Sequence, residues 1–238
     1  MERMAGASLR PWARITGVVY LLYFLTVTTA VFLVKGIVVS NDPAATATNL
    51  LAHEGLFRLG FATGLVGTGL YVAVTALFYE LFKPVNRSVA LMAAFFSLVG
   101  CAIQACGSLF QLAPFVIMKG SPYLSVFSAD QLQALALTSI KLNVQSAYIY
   151  LVFFGMFNSL IGYLIFRSTF LPRFLGVLMA LSGVGWLMLL APSLANHLLA
   201  YIEIVGVLAE ASLMLWLLVR VVNVARWREQ AGITAEVQ

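Results

Sequence analysis

Charge is scarce in this chain. Asp, Glu, Lys and Arg make up 10% of its 238 residues, where soluble domains carry about a quarter. So few charges cannot cover a soluble surface of this size, whereas a bilayer solvates an apolar exterior directly. Cysteine is also sparse, with Cys101 and Cys106 both inside one apolar run. Five residues of helix advance the direction by roughly 140° beyond a full turn, so the two thiols face different ways. That geometry does not suit an intrahelical disulfide. Without a CxxC pair or metal-ligand spacing, both read as reduced packing residues. Histidine occurs twice, as His53 and His197, outside the apolar runs. A membrane b-type haem needs histidines on facing helices inside the bilayer, so that cofactor is not expected. Solvated loop residues are a better account of the pair than a metal site completed by Glu54. No nucleophile elbow, HExxH, Walker loop or dinucleotide fingerprint is present. Basic stripes with interleaved aromatics are missing too, and the net charge of +5 is not a nucleic-acid signal. Catalytic residues are therefore unknown, and neither cofactor nor metal is expected.

What the chain has is length in its apolar runs. Six of them, at about 15–34, 57–82, 89–115, 147–166, 174–190 and 198–219, are long enough to span the hydrocarbon core as helices. The first exceeds the apolar core of a secretory signal peptide, which favours a retained helix. Ten of the fourteen basic residues sit at one set of ends: Arg3, Arg10, Arg14, Lys83, Arg87, Arg167, Arg173, Arg220, Arg226 and Arg228. Lys35, Arg58, Lys119 and Lys141 sit at the other. Basic flanks gather beside an anionic cytoplasmic leaflet, so both termini are expected in the cytoplasm of a bacterial inner membrane. The fold expected is all-α: a polytopic six-helix bundle, one membrane domain over residues 1–238.

The connections carry local signals. Asp42 suits an N-cap and Pro43 the first helical position, which predicts a short outer helix over 44–52, with Gly55 breaking the chain before the second span. Gly120 and Pro122 mark an outer loop. Ser128-Ala129-Asp130-Gln131 reads as a capping box. The helix it starts runs toward Phe166, near forty residues, too long for one perpendicular crossing. Its first part, with Gln131, Gln133, Lys141, Asn143 and Gln145, is expected to project from the outer face or lie at the interface; a kink near Asn143 is the alternative. Ala191-Pro192-Ser193 separates the fifth and sixth spans.

Ionisable and amide groups inside apolar runs are expensive, so each asks for a reason. Glu203 and Glu210 are two turns apart on one helix face, about 10.5 Å. Glu203 falls near the outer boundary and Glu210 near the midplane. A carboxylate at that depth is costly to charge, so a proton-relay or cation-coupling role follows; the plainer reading is a packing hydrogen bond to another helix. Arg58 follows Glu54 by four residues, the spacing of a helix ion pair, and lies at roughly the depth of Glu203, which makes an interhelical pair the other choice. Glu80 reads as a boundary residue bridged to Lys83 or Arg87. Gln104 and Gln111 share one face of the third span and Asn158 sits deep in the fourth. Such amides join helices or line a polar cavity with Glu210. Gly64, Gly67 and Gly69 allow close approach of a helix from the same chain or from a second copy in a homo-oligomer.

Several stretches form a pattern: Glu54-Gly55-Leu56-Phe57-Arg58-Leu59-Gly60-Phe61, Lys83-Pro84-Val85-Asn86-Arg87-Ser88, Phe153-Phe154-Gly155, Gly162-Tyr163-Leu164-Ile165, Leu171-Pro172-Arg173 with Leu175-Gly176, and Glu210 ahead of Leu215-Trp216-Leu217-Leu218. From about Arg14 to Val222 the chain resembles the bacterial membrane family catalogued as domain of unknown function 4386. The resemblance implies a six-span inner-membrane protein and no particular activity. The pattern it resembles carries Arg where Ser97 stands and His near Asn143 and Phe157, so this chain's buried polar site is the poorer one. A non-catalytic accessory, sensory or assembly component is the leading reading, with lipid as its surroundings and its small-molecule ligand unknown. The alternative is a small transporter or proton-coupled carrier built on Glu210. A membrane-embedded lipid or quinone enzyme comes last.

Overall fold

A backbone N–H or C=O left without a partner in lipid costs several kcal/mol, so a long apolar run has the helix as its local solution. The computed structural model describes residues 9–119, 122–220 and 222–232. Among the described residues the secondary structure is helical throughout, with no strand. Arg3 of the basic set and Gly120 of the outer loop lie outside them. Six stretches are long and apolar enough to cross a bilayer: Pro11–Val34, Glu54–Phe82, Arg87–Met118, Ala129–Arg167, Arg173–Leu190 and His197–Val219. The protein is a multi-pass helical bundle of the membrane type, and each expected span is there.

The helices are α1 (Leu9–Val34), α2 (Pro43–Ala52), α3 (Glu54–Phe82), α4 (Arg87–Gly107), α5 (Leu109–Met118), α6 (Ala129–Arg167), α7 (Arg173–Leu187), α8 (Pro192–Val219) and α9 (Val224–Gln230). Their ends follow the local signals. Gly36, at φ +80°, takes the left-handed turn that stops α1. Asp42 caps α2 by accepting from the Ala45 N–H at 2.9 Å, with Pro43 in the first turn. The break before α3 falls at His53 rather than Gly55, which already lies in the helix. At the start of α6, Ser128 N–H donates to Gln131 Oε1 (2.8 Å) and Gln131 N–H to Ser128 Oγ (3.3 Å), a reciprocal capping box. From there α6 runs as one helix of 39 residues, with no break into separate helices near Asn143. Pro192 opens α8, six residues before the expected start of that span.

The third span departs from expectation. The sequence reads as one helix over 89–115, but it divides at Ser108 into α4 and α5. Pro114 lies inside α5; without an N–H it gives the carbonyl four residues back no helical partner, and its ring crowds that turn. The Gln111 N–H bonds the Ser108 carbonyl at 3.1 Å instead of closing a full α-turn on Gly107.

Contacts gather the chain into two compact units, whose boundaries fall inside α1, α3, α4 and α6. One comprises Leu22–Gly69 and Cys101–Tyr150. Its core is Ile37, Leu50, Phe57, Phe115 and Ile140, and Asn49 Nδ2 donates to the Ile37 carbonyl at 3.2 Å. In it α3 closes on α1 of the same chain: a Cβ on Gly60 would meet Val34 Cγ1 at 2.6 Å and one on Gly67 would meet Val27 Cγ2 at 3.1 Å. A Cβ on Gly69 would meet nothing within 4 Å.

The other unit comprises the chain up to Leu21, Leu70–Gly100 and the chain from Leu151. Two features hold it. Phe78 is fully buried with its ring centroid 5.6 Å from that of Tyr20, 5.9 Å from Phe82 and 6.2 Å from Phe157. The helices α6 and α7 meet backbone to backbone. A Cβ on Gly162 would lie 2.6 Å from the Ala180 nitrogen and 2.7 Å from the Gly176 oxygen, and one on Gly183 would lie 2.5 Å from the Ser159 nitrogen. With no apolar-burial drive between helices in lipid, such small-residue seams let backbones approach and gain dispersion contacts. At the chain's far end, Trp227 of α9 is buried and its Nε1–H donates to the Leu81 carbonyl at 2.9 Å.

Candidate functional site

Hydroxyls and amides in a membrane helix either return their bonds to their own helix or cross to another group. Thr16, Thr68, Thr75 and Ser159 do the first, each donating to the carbonyl four residues back. Thr75 also shares a 2.6 Å contact with Ser97, so this serine sits in a satisfied hydroxyl pair. Two groups of side chains do something else.

In the unit that carries α7 and α8, Glu210 stands ten residues before Arg220, about 15 Å along the helix and half the thickness of the hydrocarbon core. Its carboxylate accepts from Tyr20 Oη–H at Oε2 (2.8 Å) and from Asn158 Nδ2–H at Oε1 (3.1 Å). The same Asn158 amide nitrogen donates to Ser182 Oγ at 3.2 Å. Asn158 and Ser182 are wholly buried and Glu210 is half-buried. Thus α1, α6, α7 and α8 each supply one polar group. Asn158 Oδ1 is buried without a hydrogen-bond partner among the described residues. Glu210 has no Lys or Arg in an ion pair among them either. Glu203, two turns away on α8, is exposed and has no ion pair among the described residues.

In the other unit a cavity of about 250 Å³ opens beside the break at Ser108. One wall is apolar, with Val27, Val34 and Leu65. The other presents Gln104, Ser108, Gln111, Asn143 and Ser146. The break explains part of that wall. Asn143 Nδ2–H donates to the Gly107 carbonyl at 3.0 Å, replacing the helical bond lost there. Gly107 permits the approach, since a Cβ on it would meet Ser146 Oγ at 2.1 Å. Ser108 donates back to the Ala105 carbonyl of α4 and Ser146 to the Asn143 carbonyl of α6. Gln104 and Gln111 do neither: no hydrogen bond joins their side chains to another described residue, and both line the cavity. Replacing Asn143 by leucine should leave the Gly107 carbonyl unpaired and lower stability by about 1–3 kcal/mol, read as a lower midpoint in thermal unfolding in detergent. A Gly107 carbonyl that finds another donor would leave that midpoint unchanged.

The six residues singled out in the sequence therefore divide. Glu210 and Asn158 bond each other, and Gln104 and Gln111 share the cavity. Arg58 Nε bonds Glu54 at 2.8 Å, as its spacing predicts, and its guanidinium lies 4.9 Å from the Phe115 ring centroid. Lys119 completes that group with a 2.8 Å bond to Glu54. Glu80 pairs with Lys83. Cys101 is buried and Cys106 exposed, so the thiols do face different ways. The sequence reading missed Tyr20 and Ser182, which are ordinary residues in apolar runs, and Asn143 as the group that answers a broken helix.

The family model described as Domain of unknown function (DUF4386) matches residues 15–220. No curated protein and no solved structure matches the chain.

Proposed function

The chain belongs to the family of domain of unknown function 4386, and for it we propose a non-catalytic membrane carrier that binds a small, neutral, hydrogen-bonding molecule with an apolar part. The observation that carries this is the pair Gln104 and Gln111, unpartnered among the described residues and lining the cavity beside an interrupted span. Irregular backbone at membrane depth is tolerated where it is enclosed by protein or lines a cavity, and discontinuous helices form the binding sites of many transporters. The lining holds no Asp, Glu, Lys, Arg or His, so a charged occupant would lose its hydration without a counter-charge. The apolar wall suits a hydrocarbon portion, and the amides suit a head of hydroxyls or carbonyls. At about 250 Å³ the cavity has room for far more than one water molecule, enough for the head of a small amphiphile. A cavity with amides free among the described residues favours a carrier over an accessory or assembly role. The basic ends of the spans support a bacterial inner-membrane location with both termini in the cytoplasm.

The test is thermal stability of the purified protein with dioctanoylglycerol, a short-chain quinol, glucose, choline and glutamate. A neutral amphiphile should raise the unfolding midpoint, and choline and glutamate should not. In the Gln104→Leu, Gln111→Leu double variant, that amphiphile should bind about tenfold or more weakly, from about 1 kcal/mol per lost bond. A flat response to every neutral probe would sink the reading, as would a shift that the double variant keeps.

A further inference from the structure

A carboxylate in a membrane span is normally matched by a cation or kept neutral, because charging it in a dry environment is expensive. Glu210 has neutral partners alone among the described residues: Tyr20 and Asn158 donate to it. That arrangement fits the ionised form, which only accepts. Asn158 spends its nitrogen on Glu210 and Ser182 while its oxygen is buried with no partner. A half-turn of the amide would exchange those two atoms. The oxygen would then face Glu210 and Ser182, and each could donate to it: the carboxyl through its proton, the serine through its hydroxyl. Either orientation leaves one end of the amide without a partner, so that count does not favour one over the other. The cluster has two bonded states that differ by one proton.

We propose that Glu210 is a reversible proton-binding site, read by an Asn158 amide that turns over as the proton arrives and leaves. Proton uptake adds one hydrogen to the carboxylate and moves no other covalent bond. The groups around it are few. Tyr20 faces it from α1, and Tyr71 of α3 lies behind Tyr20, with ring centroids 6.2 Å apart. Asn158 and Ser182 come from α6 and α7, and Glu203 is exposed on α8 itself. In the same unit, a cavity of about 20 Å³ lies among Trp12, Thr16, Glu80 and Trp227, room for one water molecule. Thr16 is one turn of α1 from Tyr20, and the Glu80 at this cavity is ion-paired with Lys83. The proposal stands whether or not the solute cavity is a binding site.

Infrared difference spectra of the protein in lipid, taken across the pH range in which it stays folded, test it without any solute. Expected is a protonated-carboxyl band that titrates, vanishes in Glu210→Gln, and is accompanied by an amide change that Asn158→Leu removes. Asn158→Leu keeps the carboxyl, so it reports even if Glu210→Gln fails to fold; there the carboxyl band should persist at a shifted frequency. No titrating band from Glu210 would overturn the site. A band and amide change untouched by Asn158→Leu would overturn the switch. A failed thermal-shift panel would leave these spectra unaffected, so the two readings fall separately.

Discussion

A Gly162→Ala protein is expected to unfold about 3 kcal/mol more easily than the parent, the upper part of the range for overpacking a tight interior. The reason is that its new methyl group meets backbone. The nitrogen of Ala180 and the oxygen of Gly176 lie 2.6 and 2.7 Å from the position it would take, and neither can swing away as a side-chain tip could. Helix propensity works the other way, since alanine is better than glycine in a helix by about 0.5–1 kcal/mol, but that gain is several times smaller than the clash. Gly69→Ala separates the two terms. A methyl group there meets nothing within 4 Å, so propensity alone should act and the protein should be unchanged or slightly more stable. Unfolding of both variants in mixed detergent micelles measures the difference. Equal midpoints for the two would show that the α6–α7 seam is looser than its geometry.

Phe78→Ala should cost about 3–5 kcal/mol, the usual range for emptying a buried aromatic site. Phe78 touches rings from three other positions, Tyr20, Phe82 and Phe157, and collapse into the gap would move all of them. Tyr20 is the one with a further duty, because its hydroxyl bonds Glu210. The variant should therefore also disturb the carboxyl band of Glu210, whereas Phe78→Leu should lose about 1 kcal/mol and leave the band in place. Thermal unfolding and the same infrared spectra read both effects. A Phe78→Ala protein of parental stability would show that the aromatic cluster is not a packed core.

Much of this architecture is legible in the chain because its causes are local. Run length and basic flanks mark the spans, Asp42 with Pro43 marks α2, and Ser128 with Gln131 marks the start of α6. Glu54 and Arg58 pair because four residues place them together on any helix. Other features depend on partners far away in sequence. The bond from Tyr20 to Glu210 joins residues 190 positions apart, and nothing near Tyr20 distinguishes it from other aromatics. Equal spacing likewise does not mean equal surroundings: Glu203 and Glu210 share a helix face by count, yet one is exposed and the other takes two hydrogen bonds. Gln104 and Gln111 are both on the face that spacing predicts, but which wall they form depends on the break at Ser108. That break was hidden because Pro114 and Ser108 sit in a stretch whose apolar character alone reads as continuous.

The length of α6 has a consequence for where the cavity lies. Its 39 residues extend about 58 Å, against a hydrocarbon core of about 30 Å. A tilt of about 40°, the upper end of what spanning helices adopt, would hide about 39 Å of it. Some 19 Å, or about thirteen residues, would still stand in the headgroup layer. Measured from Ala129 that stretch ends at Lys141, two residues before Asn143, the first cavity residue on this helix. A molecule bound there would be drawn from the headgroup layer sideways, as a lipid-soluble guest, and the composition of that layer would set its local concentration.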